Sequence, residues 1–191
     1  LEESLKRLKT DYVDLYQLHW PERNTNFFGK HGYEHDENDK MWTPFEEILE
    51  SLQKFIQQGK IRYIGLSNET PWGLMKFISL ADEYNLPRVV SVQNPYSLLN
   101  RSYEVGMAEI SIREKCGLLA YSPLAFGMLT GKYDNGAMPD KARLTLFGDM
   151  FTRYTKPKGK KYAEKFNDLA KKSDLTPSQM ALAFVNSRNF L

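Results

Sequence analysis

Apolar residues gather in four short runs along the chain: YVDLYQLH (12–19), IRYIGLS (61–67), RVVSVQ (88–93) and GLLAYS (117–122). Each has strand length and is rich in β-branched or aromatic side chains, as strands buried in a parallel sheet are. Between them the pattern changes to a helical period. In FEEILESLQKFIQQ, the residues Phe45, Ile48, Leu49, Leu52, Phe55 and Ile56 share one face. Thr43-Pro44-Phe45-Glu46 reads as a capping box with proline at the first helical position, and Gly59 as the stop. Thr70-Pro71 starts a further helix carrying Leu74, Phe77, Ile78 and Ala81. Residues 102–115 are expected to form one helix, and Thr176-Pro177-Ser178-Gln179 repeats the capping box ahead of MALAFVNS. The expected order is a helix, three strand–helix pairs, a fourth strand and two further helices.

Repeated strand–helix units with right-handed crossovers give parallel strands covered by helices. Two α/β architectures fit: an open doubly wound sheet, or a segment of a (β/α)8 TIM barrel. Four strands cannot close a barrel, and an open four-stranded sheet leaves two edges to cover. LEESLKRLKT reads as the middle of an amphipathic helix, with Leu1, Leu5 and Leu8 on one stripe, and NSRNFL stops as a new apolar run begins. Both termini are expected to be cut ends, so residues 1–191 are read as one incomplete domain, a barrel segment.

Composition narrows the function classes. The chain carries 26 basic and 24 acidic residues, a formal +2, which gives no footprint for nucleic acid or for an anionic membrane surface. KPKGKKYAEK (156–165) reads as a loop followed by a solvated helix face. With one cysteine, Cys116, a disulfide framework and a Cys-rich zinc site are excluded, and a reducing, cytoplasmic setting is expected. No apolar run approaches the about 18 residues of a membrane span, and no signal peptide is recognisable.

Residues 22–42 form a long, charged stretch of little periodicity directly after the first strand. A loop of this length is uncommon unless it serves a site. His31 and His35 lie in it with Asp36, Glu37 and Asp39, but their spacing matches no strong metal motif, so a solvated lid is expected and no metal.

The ends of the strands carry the chemistry. They finish at His19-Trp20, Ser67-Asn68, Gln93-Asn94 and Tyr121-Ser122. Parallel strand–helix units bring all strand C-termini to one end of the sheet, where sites form. A lone histidine beside a core more often packs and hydrogen-bonds than acts, but four polar strand ends together must be satisfied by something. Asn68 and Gln93 each offer donors and an acceptor on one plane, Ser67 adds a hydroxyl, and Tyr121 a flat face. The set suits a flat heteroaromatic amide more than a hydrolytic centre. In SPLAFGMLTGKY (122–133), Gly127 and Gly131 allow close backbone approach and Lys132 adds a charge, so a phosphate-bearing ligand fits. No G-x-G-x-x-G occurs, which counts against the open dinucleotide-binding sheet.

DYVDLYQLHWP, GKIRYIGLSN, VQNPYSLLNR and LLAYSPLAFGMLTGKY together resemble the aldo-keto reductase family, its Tas-type subgroup in particular, with every motif in order from Leu1 to Leu191. The resemblance implies about strands four to seven of a (β/α)8 barrel that binds NADPH, less often NADH, across its C-terminal face, and reduces a small-molecule carbonyl. It implies that His19 orients the carbonyl and that Trp20 lines the substrate pocket. Ser67, Asn68 and Gln93 would hold the nicotinamide carboxamide and Tyr121 would stack on its ring. Ser122, Pro123, Leu124, Ala125 and Gly127 would follow the pyrophosphate with Lys132 behind them, and Arg143 matches a further cofactor contact. Residues 22–42 match a variable substrate loop. The family's catalytic aspartate, tyrosine acid and lysine come from strands earlier than any matched here, and the residues that read the 2′-phosphate come later. Alternatives are a non-enzymatic nicotinamide-binding regulatory subunit and an inactive fragment. Were the fragment active, Tyr16, Tyr96 and Tyr133 would be its candidate proton donors.

Overall fold

The computed structural model describes residues 1–26, 32–39 and 42–191. Helix α1 (Glu2–Leu8) leads into β1 (Val13–Leu18), followed by α2 (Phe45–Gln57), β2 (Ile61–Ser67), α3 (Pro71–Glu83) and β3 (Val89–Pro95). Then come a 3-10 turn (Ser102–Val105), α4 (Met107–Arg113), β4 (Gly117–Tyr121), further 3-10 turns and α5 (Arg143–Phe147), α6 (Pro157–Lys172) and α7 (Pro177–Asn186). The four strands are parallel and lie in chain order β1-β2-β3-β4, the α/β arrangement of part of a (β/α)8 barrel.

The local signals explain most of these elements. At the end of α2, Gly59 sits at φ +72°, its N–H bonds the Ile56 carbonyl, and the Lys60 N–H reaches back to Phe55 at 3.0 Å. This left-handed stop turns the chain straight into β2. Thr70 caps α3 through its hydroxyl and the Gly73 N–H, and Thr176 with Gln179 forms the expected reciprocal box at α7. The Thr43 box does not form. Pro44 is the capping residue of α2, and the Thr43 N–H is taken by the Glu22 carboxylate at 2.9 Å. The single helix expected over 102–115 is divided at Gly106 (φ −150°), because glycine holds helical geometry poorly. After β4 the chain forms more than the two expected helices, since left-handed residues break the segment into 3-10 turns before α5.

The chain divides into two units: Leu1–Asn94 with Met107–Leu119, and Pro95–Gly106 with Ala120–Leu191. The core of the first unit includes Leu49, Ile64, Leu66, Leu74, Ile78, Val92 and Leu118, all buried. Leu18, Leu66 and Val92 stand level across the sheet, and Ser67 pairs with Gln93 one residue further on. The apolar register thus sets His19, Ser67 and Gln93 abreast at the strand ends. The second unit packs Met128, Leu129, Tyr133, Leu144, Tyr154, Ala163 and Ala181 together. Among the described residues no helix is long and apolar enough to cross a membrane.

Candidate active site

In the first unit the strand ends are tied by a chain of hydrogen bonds centred on Asn68. Ser67 is buried and donates its hydroxyl to the Gln93 carbonyl at 2.8 Å. Asn68 follows at φ +53°, in the left-handed region that asparagine tolerates better than most residues. That turn brings its N–H to the same Gln93 carbonyl at 3.0 Å. Its side-chain Nδ2 donates to the His19 carbonyl at 2.9 Å and meets Ser67 Oγ at 3.2 Å. One residue therefore links the ends of β1, β2 and β3. The half-buried Gln93 side-chain amide makes no hydrogen bond among the described residues.

The His19 ring is held by its flat face. It stacks on the Trp20 indole with centroids 4.1 Å apart and planes within 9°. Stacking fixes the ring plane and leaves the nitrogens at the edge to hydrogen-bond. Both rings line a cavity of about 300 Å³, together with Ser67, Phe45 and Phe77. His19, Trp20 and Ser67 thus border one cavity.

In the second unit Tyr121 ends β4 half-buried, and the Arg153 guanidinium, held above its ordinary value, lies near the hydroxyls of Tyr121 and Tyr154. The loop after it is conformationally demanding. Ser122 (φ +55°), Ala125 (+48°), Phe126 (+58°) and Gly127 (+98°) are all left-handed. Each non-glycine residue in that state costs about 1–2 kcal/mol, and such strain concentrates at functional sites. Bonds from the Ala125 N–H to Ser122 O and from the Gly127 N–H to Leu124 O, both 2.9 Å, hold the turns. Lys132 folds back against this loop: a Cβ on Gly127 would meet its Cε at 2.8 Å. Gly127 is therefore required for its backbone conformation. Arg143, exposed at the start of α5, lies over the Phe151 ring at 5.3 Å, and Phe151 packs on Phe126. Arg143 is thereby anchored to the same loop through two rings.

Two tyrosines of the chain are committed elsewhere. Tyr96 is buried and donates its hydroxyl to Glu104, and burial pushes its phenol up to about 12. The Tyr133 hydroxyl accepts the Leu144 N–H at 3.1 Å. In the loop after β1, Asp39 accepts the Asn24 N–H and Asp36 the Asn38 N–H. His31 lies outside the described residues, among which no group of three or more potential metal ligands is assembled.

Sequence reasoning missed the most buried charges of the first unit. Arg23 and Glu69 pair at 2.5 and 3.2 Å with 7% and 5% exposure. Asn94 exchanges two bonds with the Glu69 backbone, accepting its N–H at 3.1 Å and donating to its carbonyl at 2.8 Å. The available signal was an arginine and a glutamate each placed just after a strand end.

Residues 1–190 match the Aldo/keto reductase family. The chain is 53% identical over 191 residues to Protein tas of Escherichia coli, covering 100% of this chain and 55% of that protein. It is 31% identical over 191 residues to L-glyceraldehyde 3-phosphate reductase of Escherichia coli, covering 97% of this chain and 49% of the relative. A putative voltage-gated potassium channel subunit beta of Schizosaccharomyces pombe is 31% identical over 189 residues, with 96% and 49% covered. The chain spans about half the length of these curated relatives. With its four parallel strands, its polar strand ends and a match over nearly every residue, the chain belongs to the aldo/keto reductase family.

Proposed function

We propose that the intact protein carrying this chain reduces aldehydes or ketones to alcohols with NADPH. The observation that carries the reading is the Asn68 knot, which locks three strand ends while the neighbouring Gln93 side-chain amide makes no hydrogen bond among the described residues. A planar primary amide can pair with a ligand carboxamide through both its N–H and its oxygen. Ser67, Asn68 and Gln93 would hold the nicotinamide carboxamide, and Tyr121 would lie against the ring. Ser122, Pro123, Leu124, Ala125 and Gly127 would follow the phosphates, with Lys132 and Arg143 supplying positive charge. The left-handed backbone of that loop and the Lys132 side chain folded against Gly127 support the fit. NADH is the less favoured reductant.

When bound, the cofactor supplies the hydride; the protein supplies position and polarisation. His19, fixed flat against Trp20, presents an edge N–H that can donate to a carbonyl oxygen. A preoriented donor there stabilises the charge that develops on that oxygen. Trp20 walls the pocket. That one relative is named a glyceraldehyde-phosphate reductase favours carbonyl substrates.

The test is NADPH oxidation by the intact protein against a panel of reactive aldehydes. Turnover with at least one member is expected. Cofactor binding without any turnover would support the second reading, a regulatory nicotinamide-binding subunit, which the likeness to a named channel subunit favours. The 191 residues by themselves are proposed to be inactive, because the family's acid tyrosine, aspartate and lysine are unmatched here and Tyr96 and Tyr133 are already engaged.

A further inference from the structure

The Arg23–Glu69 pair is built with more precision than a stabilising contact needs. Arg23 follows β1 and Glu69 follows β2, 46 positions apart in sequence. Both are buried, and the guanidinium fork meets both carboxylate oxygens. Arg23 Nη2 also reaches Thr70 Oγ1 at 3.0 Å, and Glu69 Oε1 accepts the Thr70 N–H at 2.7 Å. The guanidinium carbon lies 5.4 Å from the Phe45 ring and 5.0 Å from the Trp72 ring, at the starts of α2 and α3. Gly73 is required beside it, since a Cβ there would run into both the Glu69 carboxylate and the guanidinium.

Glu69 works in two directions. Its side chain holds the segment after β1, and its backbone holds Asn94 at the end of β3. It directly follows Asn68, which ties the His19 carbonyl to Ser67. Arg23 also lies on the lining of two cavities, the one of about 300 Å³ beside His19 and Trp20 and a second of about 600 Å³ lined by Thr70, Pro71 and Trp72. Burying two charges is rarely the most stable choice for a protein, and such pairs are better explained by the geometry they specify.

We propose that Arg23, Glu69 and Asn94 form a positioning lattice that fixes the distance between the His19 strand end and the Ser67-Asn68 strand end. The carbonyl-orienting side and the amide-holding side of the rim then keep one spacing. The lattice acts on the rim through Asn68 and through the backbone after His19. The functional consequence rests on the proposed reading of His19 and Asn68, while the positioning itself does not.

The experiment compares the intact protein with Glu69→Gln and Arg23→Lys, and with Arg88→Lys as a control in the ion pairs of Arg88 with Asp82 and Glu114. Amide hydrogen exchange, NADPH affinity, and kcat and KM for an aldehyde are measured well below each variant's Tm. Exchange at the Asn68 amide, which bonds the Gln93 carbonyl, should quicken roughly tenfold in both lattice variants and not in the control. NADPH affinity should fall several-fold, and kcat/KM should fall roughly 10- to 100-fold, as misplacement by about 1 Å does. Arg23→Lys should retain more function than Glu69→Gln, since it keeps a charge for the carboxylate. A lowered Tm with wild-type exchange at Asn68 would overturn the proposal, whatever the kinetics. If the wild type reduces no carbonyl, the reductase reading fails and the exchange result still decides the lattice.

Discussion

Asn68 is the residue where backbone and side-chain effects separate most cleanly. Asn68→Gly removes the Nδ2 bonds to the His19 carbonyl and Ser67 Oγ but suits φ +53°. At about 1 kcal/mol for each bond, with the 3.2 Å contact the weaker, the loss is about 1–2 kcal/mol. Asn68→Ala loses the same bonds and adds about 1–2 kcal/mol for holding a Cβ in the left-handed region. Alanine should therefore be the more damaging by about 1–2 kcal/mol, seen as a lower urea midpoint and a lower Tm. Urea denaturation and thermal scans of both variants in the intact protein give the ordering. NADPH affinity should fall alike in both, because both lack the amide. Equal stability, or alanine above glycine, would refute the claim that the turn at Asn68 is held against its conformational preference.

His19→Ala should lower kcat/KM by roughly 10²–10³, the effect of losing one oriented donor to a developing oxyanion, with NADPH affinity nearly unchanged; an equal loss of cofactor affinity would point to a structural role. Tyr121→Ala should weaken NADPH binding, and unchanged protein-fluorescence quenching by the cofactor would contradict the stacking role. Burial pushes the Cys116 thiol up to about 11. Its folded pKa lies above the unfolded value, so its contribution is full below about pH 8.5 and is lost as pH rises toward 11, about 3 kcal/mol in all. Urea midpoints at neutral and alkaline pH should drop further in the wild type than in Cys116→Ala, and equal drops would remove the thiol from the account.

Strands and helix starts were legible because their causes are local. Ile64, Leu66 and Val92 keep their apolar places, and Thr70 and Thr176 cap the helices they precede. Thr43 carries the same four-residue signal and fails, because Glu22, 21 positions away, takes its N–H. The ends of β1, β2 and β3 were legible through register: a parallel sheet levels its ends, so polar residues at those three ends become neighbours. What joins them was not. Asn68 reaching the His19 carbonyl and Arg23 reaching Glu69 span 49 and 46 positions, and no periodicity encodes such pairings. The loop from Ser122 to Gly127 was read through its glycine, yet Ser122, Ala125 and Phe126 adopt the same left-handed turn. Non-glycine residues forced into that region are invisible to a reading based on propensity.

The most direct test of the central claim follows the hydride itself. NADPH carrying deuterium at nicotinamide C4 is incubated with the intact protein and an aldehyde that it turns over, and the alcohol is analysed by mass spectrometry and NMR. The account predicts deuterium on the carbinol carbon from one face of the nicotinamide only, with the transfer sharply reduced in His19→Ala. An alcohol formed without the label, or bound NADPH that never transfers it to any aldehyde, would contradict it.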